Sequence, residues 1–186
     1  MKRLAIAGAC ALAMLGSAHA QQFQSSNAYG ELGYTFLKVD DGSGGTANPG
    51  ALRAILGYDF HPYFGVEGML AFGVSDDHFV DNSFGVPVNV TVKLDSMYGI
   101  YLKPKYAFNQ LEVFGRLGWA HTKLKADASS GGFSASGSGS DSDFSYGVGL
   151  NYNFNPKMRV GVDYMVYNGS SGGKVDGWTI SVGYRF

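Results

Sequence analysis

Several groups of side chains in this 186-residue sequence are of a type and spacing that could do chemistry. Asp76-Asp77-His78-Phe79-Val80-Asp81-Asn82 gathers three carboxylates and a histidine, a hard ligand set that could attract a divalent cation. The segment lacks the fixed spacing and the glycine turn of a calcium loop, so surface acidity is the expected reading and no metal ligand is assigned. Phe79, Val80, Phe84 and Val86 are unusually apolar for such a loop and suit either an extension of the strands above the membrane or an adhesive patch. His121 followed by Thr122 is the nearest approach to a base beside a nucleophile, yet alternation puts the two on opposite faces of a strand. No serine, acid and histidine converge in the strand map, so no catalytic residue and no cofactor are expected.

The largest group of ionisable residues is dispersed but not random. Glu31, Arg53, Asp59, Glu67, Lys93, Asp95, Lys103, Lys105, Glu112, Arg116, Arg159, Asp163 and Arg185 all fall on one parity of alternating segments, opposite the apolar parity. Acids and bases are nearly balanced, which suits mutual pairing out of water. A fourth group, Lys38, His121, Lys123 and Lys125, continues the apolar parity past the upper ends of its segments. Cations there are candidates for lipopolysaccharide phosphates, and snorkelling at a strand end explains them equally well.

The elements that must position these groups are strands. From Asn27 onward eight segments hold a period of two, each long enough for the roughly 9 to 11 residues of a tilted membrane strand. Their apolar faces are Ala28 to Phe36, Leu52 to Phe60, Phe64 to Val74, Val92 to Phe108 with Leu94 included, Leu111 to Trp119, Tyr146 to Phe154, Val160 to Val166, and Trp178 to Phe186. Short turns at His61-Pro62-Tyr63, Phe108-Asn109-Gln110 and Asn155-Pro156-Lys157 alternate with longer loops near 40–49, 75–90, 126–142 and 168–176. The 126–142 loop is rich in serine and glycine and reads as a solvated spacer. Charges on one face and a continuous apolar stripe on the other invert the soluble sandwich or lipocalin pattern. The expected fold is an all-β, eight-stranded antiparallel up-and-down transmembrane barrel, polar inside and lipid-facing outside.

Residues 1–20 predict a signal peptide: Lys2 and Arg3, an apolar run from Leu4 to Gly16, and the cleavage site Ala18-His19-Ala20. The barrel domain is then 21–186. Cleavage removes Cys10, the single cysteine, which excludes disulfides and thiolate chemistry, and takes the formal net charge from -1 to -3. That charge gives no footprint for nucleic acid.

Trp178, Ile180, Val182, Tyr184 and Phe186 in GWTISVGYRF resemble the C-terminal recognition signal of outer-membrane proteins. With Ala28-Tyr29-Gly30-Glu31-Leu32-Gly33-Tyr34, Tyr146-Gly147-Val148-Gly149-Leu150 and Val162-Asp163-Tyr164, the sequence resembles the small barrels of the OmpA/OmpX and Ail/Opa type. The resemblance implies insertion by the barrel assembly machinery into the bacterial outer membrane, with periplasmic termini. It implies a non-enzymatic protein contributing to envelope integrity, with surface loops for adhesion to a host surface or other extracellular ligand. The alternatives are a narrow small-solute pore and, third, a lipid A-modifying barrel enzyme.

Overall fold

The computed structural model describes residues 27–40, 45–81, 88–130, 133–169 and 173–186. The expected signal peptide and residues 82–87 of the acidic loop lie outside them. Ten strands follow one another: β1 (Ala28–Asp40), β2 (Thr46–Ala47), β3 (Gly50–His61), β4 (Phe64–Ser75), β5 (Asp77–Asp81), β6 (Val88–Phe108), β7 (Leu111–Ser130), β8 (Phe133–Asn153), β9 (Met158–Asn168) and β10 (Lys174–Arg185). Eight of these make an antiparallel ring in the order β1, β3, β4, β6, β7, β8, β9, β10, and β10 pairs back onto β1 from Tyr29↔Arg185 to Asp40↔Lys174. Closure leaves no unpaired edge within the ring, the condition for a sheet to lie in hydrocarbon. The short β2 and β5 are attached to β1 and β6 above it.

Tight turns gather at one end, the turn end. Asn109 adopts φ 54° between β6 and β7, a left-handed conformation that asparagine tolerates. Asn155 folds its side chain back, Oδ1 accepting from the Lys157 and Met158 amides at 2.9 and 2.8 Å. The opposite end, the hairpin end, differs from the loop reading of the sequence. β7 and β8 continue in unbroken register from Leu111↔Tyr152 to Ser130↔Phe133, so most of the stretch read as a spacer is paired strand. Serine and glycine there leave room for the ladder, and backbone pairing orders a segment with almost no apolar anchor of its own.

Outside the ring, a girdle of apolar side chains is bare: Leu56 is 70% exposed, Ile100 66% and Val148 65%. Such a surface would drive association in water and matches acyl chains instead. Aromatic rings border it at both ends: Tyr58, Phe60, Phe64, Tyr106, Phe108, Phe154 and Tyr184 toward the turns, and Tyr34, Phe36, Phe72, Tyr98, Trp119, Phe144, Tyr164 and Trp178 toward the hairpins. These are the two interfacial belts of a membrane barrel.

Candidate functional site

The lumen is packed with side chains in two storeys, and the storey nearer the turns is ionic. Asp59 meets Lys105 at 2.6 Å and Arg185 at 2.7 Å; Lys105 also lies 3.5 Å from Glu112, which accepts from Asn151 Nδ2 at 2.8 Å. One layer deeper, Glu31 receives Arg159 at 2.6 Å and Arg116 at 3.0 Å, while Glu67 pairs with Arg116 and accepts from the Tyr29 hydroxyl at 2.6 Å. Lys103 stands 3.3 Å from both Glu67 and Glu112, its Nζ unaligned for a hydrogen bond, and 4.3 Å from the centre of the Phe114 ring. Arg116 continues to Asp163 at 3.1 Å, and Arg53 holds Asp163 with two bonds at 2.5 and 2.8 Å. Ion pairing on this scale is how so many charges remain charged out of water, because an isolated ion there would cost several kcal/mol on the order of magnitude.

Strand geometry sets these positions. Glu31, Arg53, Glu67, Lys103, Arg116 and Asp163 come from six different strands, each on the inward parity at neighbouring heights. Glycines on the same face make room for them. A Cβ on Gly57 would lie 2.2 Å from Tyr29 Cζ, so the Tyr29 ring occupies the space above that glycine, and the guanidinium of Arg159 stacks 4.1 Å from the ring centre.

The second storey, toward the hairpins, is mainly apolar, with the buried hydroxyls of Thr35, Ser145 and Thr179 among it and none of the ion pairs of the first, which corrects the expectation of a polar interior throughout. Leu37, Val39, Ala51, Ile55, Met69, Ala71, Leu94, Met97, Tyr101, Ala120, Met165, Tyr167 and Val175 form one buried cluster inside the ring. Two irregularities build it. Between Leu94 and Ser96 the register slips by one residue, which turns Leu94 inward although the sequence parity put it on the lipid side. A second slip, at Val175/Asp176, buries Val166 and Tyr167 together, and the Tyr167 hydroxyl receives Arg53 at 3.1 Å where the two storeys meet.

The first slip also removes two members from the expected interior set. Asp95 is the extra residue of the bulge and pairs outside the lumen with Lys125, and with Lys123 at 3.4 Å. Lys93 stands opposite Lys125 in register, beside Ser136 and Ser138, rather than in the ionic storey. A bulge has no signature in a period-two count, because parity is the very thing it breaks.

On the outer side, His121 stacks on Tyr98 at 4.9 Å and its Nδ1 lies 2.7 Å from Ser142 Oγ, a base and hydroxyl pair that the strand map did not reveal. Asp141 and Asp143 flank Ser142 in sequence, but Asp141 binds Asn168 at 2.8 Å and Asp143 binds the Gly169 amide at 3.1 Å. Hence no carboxylate orients the imidazole among the described residues. Lys38 is exposed beside Pro49, Tyr164 and Trp178 at the upper aromatic belt. Asp77 of the acidic segment accepts from the Asn48 amide at 2.6 Å, and no group of His, Cys, Asp and Glu suited to a metal occurs among the described residues. Trp178, Ile180, Val182, Tyr184 and Phe186 line the lipid side of β10, and the Phe186 amide closes onto the Ala28 carbonyl at 3.2 Å.

The model of the outer membrane protein β-barrel domain matches residues 8–186, and the chain belongs to that family. It is thus an outer-membrane, transmembrane barrel of eight strands. Among solved structures it is similar to Ail, the attachment invasion locus protein of Yersinia pestis, solved with the heparin analogue sucrose octasulfate. The identity is 26%, over 88% of this chain and 100% of Ail, with a TM-score of 0.62. OprG of Pseudomonas aeruginosa shares the fold at 18% identity and TM-score 0.59, over 87% of this chain and 97% of OprG. The Neisserial surface protein NspA does so at 14% and 0.54, over 87% and 98%. Among curated proteins none matches the chain in sequence.

Proposed function

We propose that this protein is a sealed, non-enzymatic barrel that contributes to the integrity of the outer membrane and carries paired strand extensions outside the cell. The observation that carries the reading is the filled lumen: an ionic storey locked by Arg53, Arg116, Glu67 and Asp163 beneath an apolar storey around Met97 and Met165. A conducting path needs a wet, continuous interior, and eight strands enclose only enough space for side chains. The orientation proposed has the turn end in the periplasm, reached after export by the signal peptide and cleavage behind Ala20. Trp178 to Phe186 then serve as the signal for the assembly machinery. Lys38, with His121, Lys123 and Lys125, meets the lipopolysaccharide headgroups, although Asp95 already neutralises part of the lysine charge.

Adhesion is the second reading, favoured by the likeness to Ail. The partner chemistry differs here, however. Among the described residues at the hairpin end, Asp40, Asp76, Asp77, Asp95, Asp141, Asp143 and Asp176 outnumber Lys38, Lys93, Lys123, Lys125 and Lys174. An acidic extension repels a sulfated polysaccharide and suits a neutral or cationic surface.

The deciding experiment is reconstitution into planar bilayers, with envelope permeability to detergent measured in a deletion strain. Silent bilayers and a leaky deletion strain agree with the proposal. Discrete conductance steps would replace it with the small-solute pore, and an intact envelope would remove the integrity role.

A further inference from the structure

Above the apolar storey, the extended parts of β1, β7, β8, β9 and β10 surround a cavity of about 400 Å³. That lies within the roughly 300 to 1,000 Å³ typical of small-molecule sites. Val39 and Val175 belong to the buried cluster and Leu124 packs against it, so this side of the cavity is apolar. Thr122 also lines the cavity. It is 4% exposed, and its Oγ1 has no hydrogen-bond partner among the described residues, whereas the buried Thr35 and Thr179 satisfy each other at 2.9 Å. A buried hydroxyl left unbonded carries its desolvation penalty unrelieved, so a group that bonds to it is favoured there.

The rim sets the charge. Asp40 and Asp141 border the cavity, and Lys174, the cation there, is paired with Asp176 at 3.0 Å. An anion would approach the Asp141 carboxylate, which accepts from the neutral Ser142 and Asn168 amides; an uncharged or cationic molecule meets no such repulsion. The Asn168 to Asp141 bond ties β9 to β8 across this rim, so the site is preformed rather than assembled by its occupant.

We propose that this cavity binds a small, largely apolar, uncharged or cationic molecule bearing one hydrogen-bonding group. Its apolar body lies on Val39, Leu124 and Val175 and its polar group bonds to Thr122. The site faces the hairpin end and does not need the lumen below it to conduct, so it stands or falls separately from the sealed-barrel reading.

The test uses the whole barrel in lipid nanodiscs with labelled Val and Leu methyl groups, titrated with 1-naphthylamine. The expected result is saturable shifts at Val39, Leu124 and Val175, while the lipid-facing Val148 and Leu150 move only linearly as the probe partitions. Gly139 stands opposite Leu124 in register, and a Cβ on it meets nothing within 4 Å, so Gly139→Phe can fill the cavity without displacing backbone. It should abolish the saturable shifts while retaining the heat-modifiable mobility of a folded barrel. Thr122→Val preserves shape and should weaken binding by about 2- to 10-fold, the value of one hydrogen bond. Linear shifts at every methyl up to the solubility limit would mean that the cavity holds water only and would overturn the proposal. Saturation unchanged by both substitutions would overturn it as well.

Discussion

Arg53 on β3 grips Asp163 on β9 with two bonds at 2.5 and 2.8 Å, although the residues are 110 positions apart and the two strands do not pair. Each side chain is 1% exposed. Removing one partner leaves the other charge buried, so Asp163→Asn or Arg53→Ala should lower stability by about 3 to 5 kcal/mol. The paired replacement Arg53→Met with Asp163→Leu should cost less than either single change plus the other. Urea-dependent folding into lipid vesicles, followed by Trp fluorescence, measures all four proteins.

Tyr29 links the ionic storey to the glycines that make room for it. Tyr29→Phe keeps the ring over Gly57 but deletes the 2.6 Å bond to Glu67, and a loss of about 1 to 3 kcal/mol is expected in the same assay. Gly57→Ala, whose Cβ would overlap the Tyr29 ring, should be worse than Tyr29→Phe. Equal effects would show that the ring shifts freely and that the glycine is incidental.

The face assignment is tested at Leu150, which points to lipid on β8 between Phe144 of the hairpin-end belt and Phe154 of the turn-end belt. Leu150→Arg should hinder insertion by about 2 to 4 kcal/mol and Leu150→Met by much less. The inward neighbour Asn151 is a poor site for an arginine control, since it is 1% exposed, bonded to Glu112 and close to Gly161. If the two Leu150 variants insert equally well, the outer face is not in hydrocarbon.

Above the membrane, Asp95 carries a pH dependence of definite sign. The hydrogen bond from Lys125, and then that from Lys123, holds its carboxyl below the ordinary carboxylate value of about 3.9. A depressed carboxyl stabilises the folded form above the unfolded value, and the contribution disappears as pH falls through the lower folded value. The Asp95 carboxyl carbon should therefore titrate below the ordinary midpoint by NMR. In Lys125→Ala the midpoint should move up; no movement would separate Asp95 from the lysine.

The outer His121 and Ser142 pair yields an expectation about chemistry. With no carboxylate behind the imidazole among the described residues, lipid A from cells overproducing the protein should have an unchanged mass spectrum, and His121→Ala should make no difference. A mass change abolished by His121→Ala or Ser142→Ala would establish an enzyme.

What the sequence determined by itself is the set of properties that repeat every two residues. Successive Cβ atoms point to opposite faces, so Leu56, Ile100 and Val148 could be assigned to lipid, and Arg53, Glu67 and Arg116 to the other side, from their positions alone. The tight turns were legible too, because Asn109 and Asn155 carry their own local chemistry. Tertiary structure decided the rest. A bulge depends on how two strands pair, so Asp95 left the interior and Leu94 entered it with no local warning. Which charges meet depends on the stagger with which the ring closes, and no spacing along the chain links Arg53 to Asp163; His121 meets Ser142 only because β7 and β8 pair through a stretch that reads as a loop. The apolar storey and the cavity around Thr122 have the same origin: their walls come from strands distant in sequence and brought together by closure of β10 onto β1.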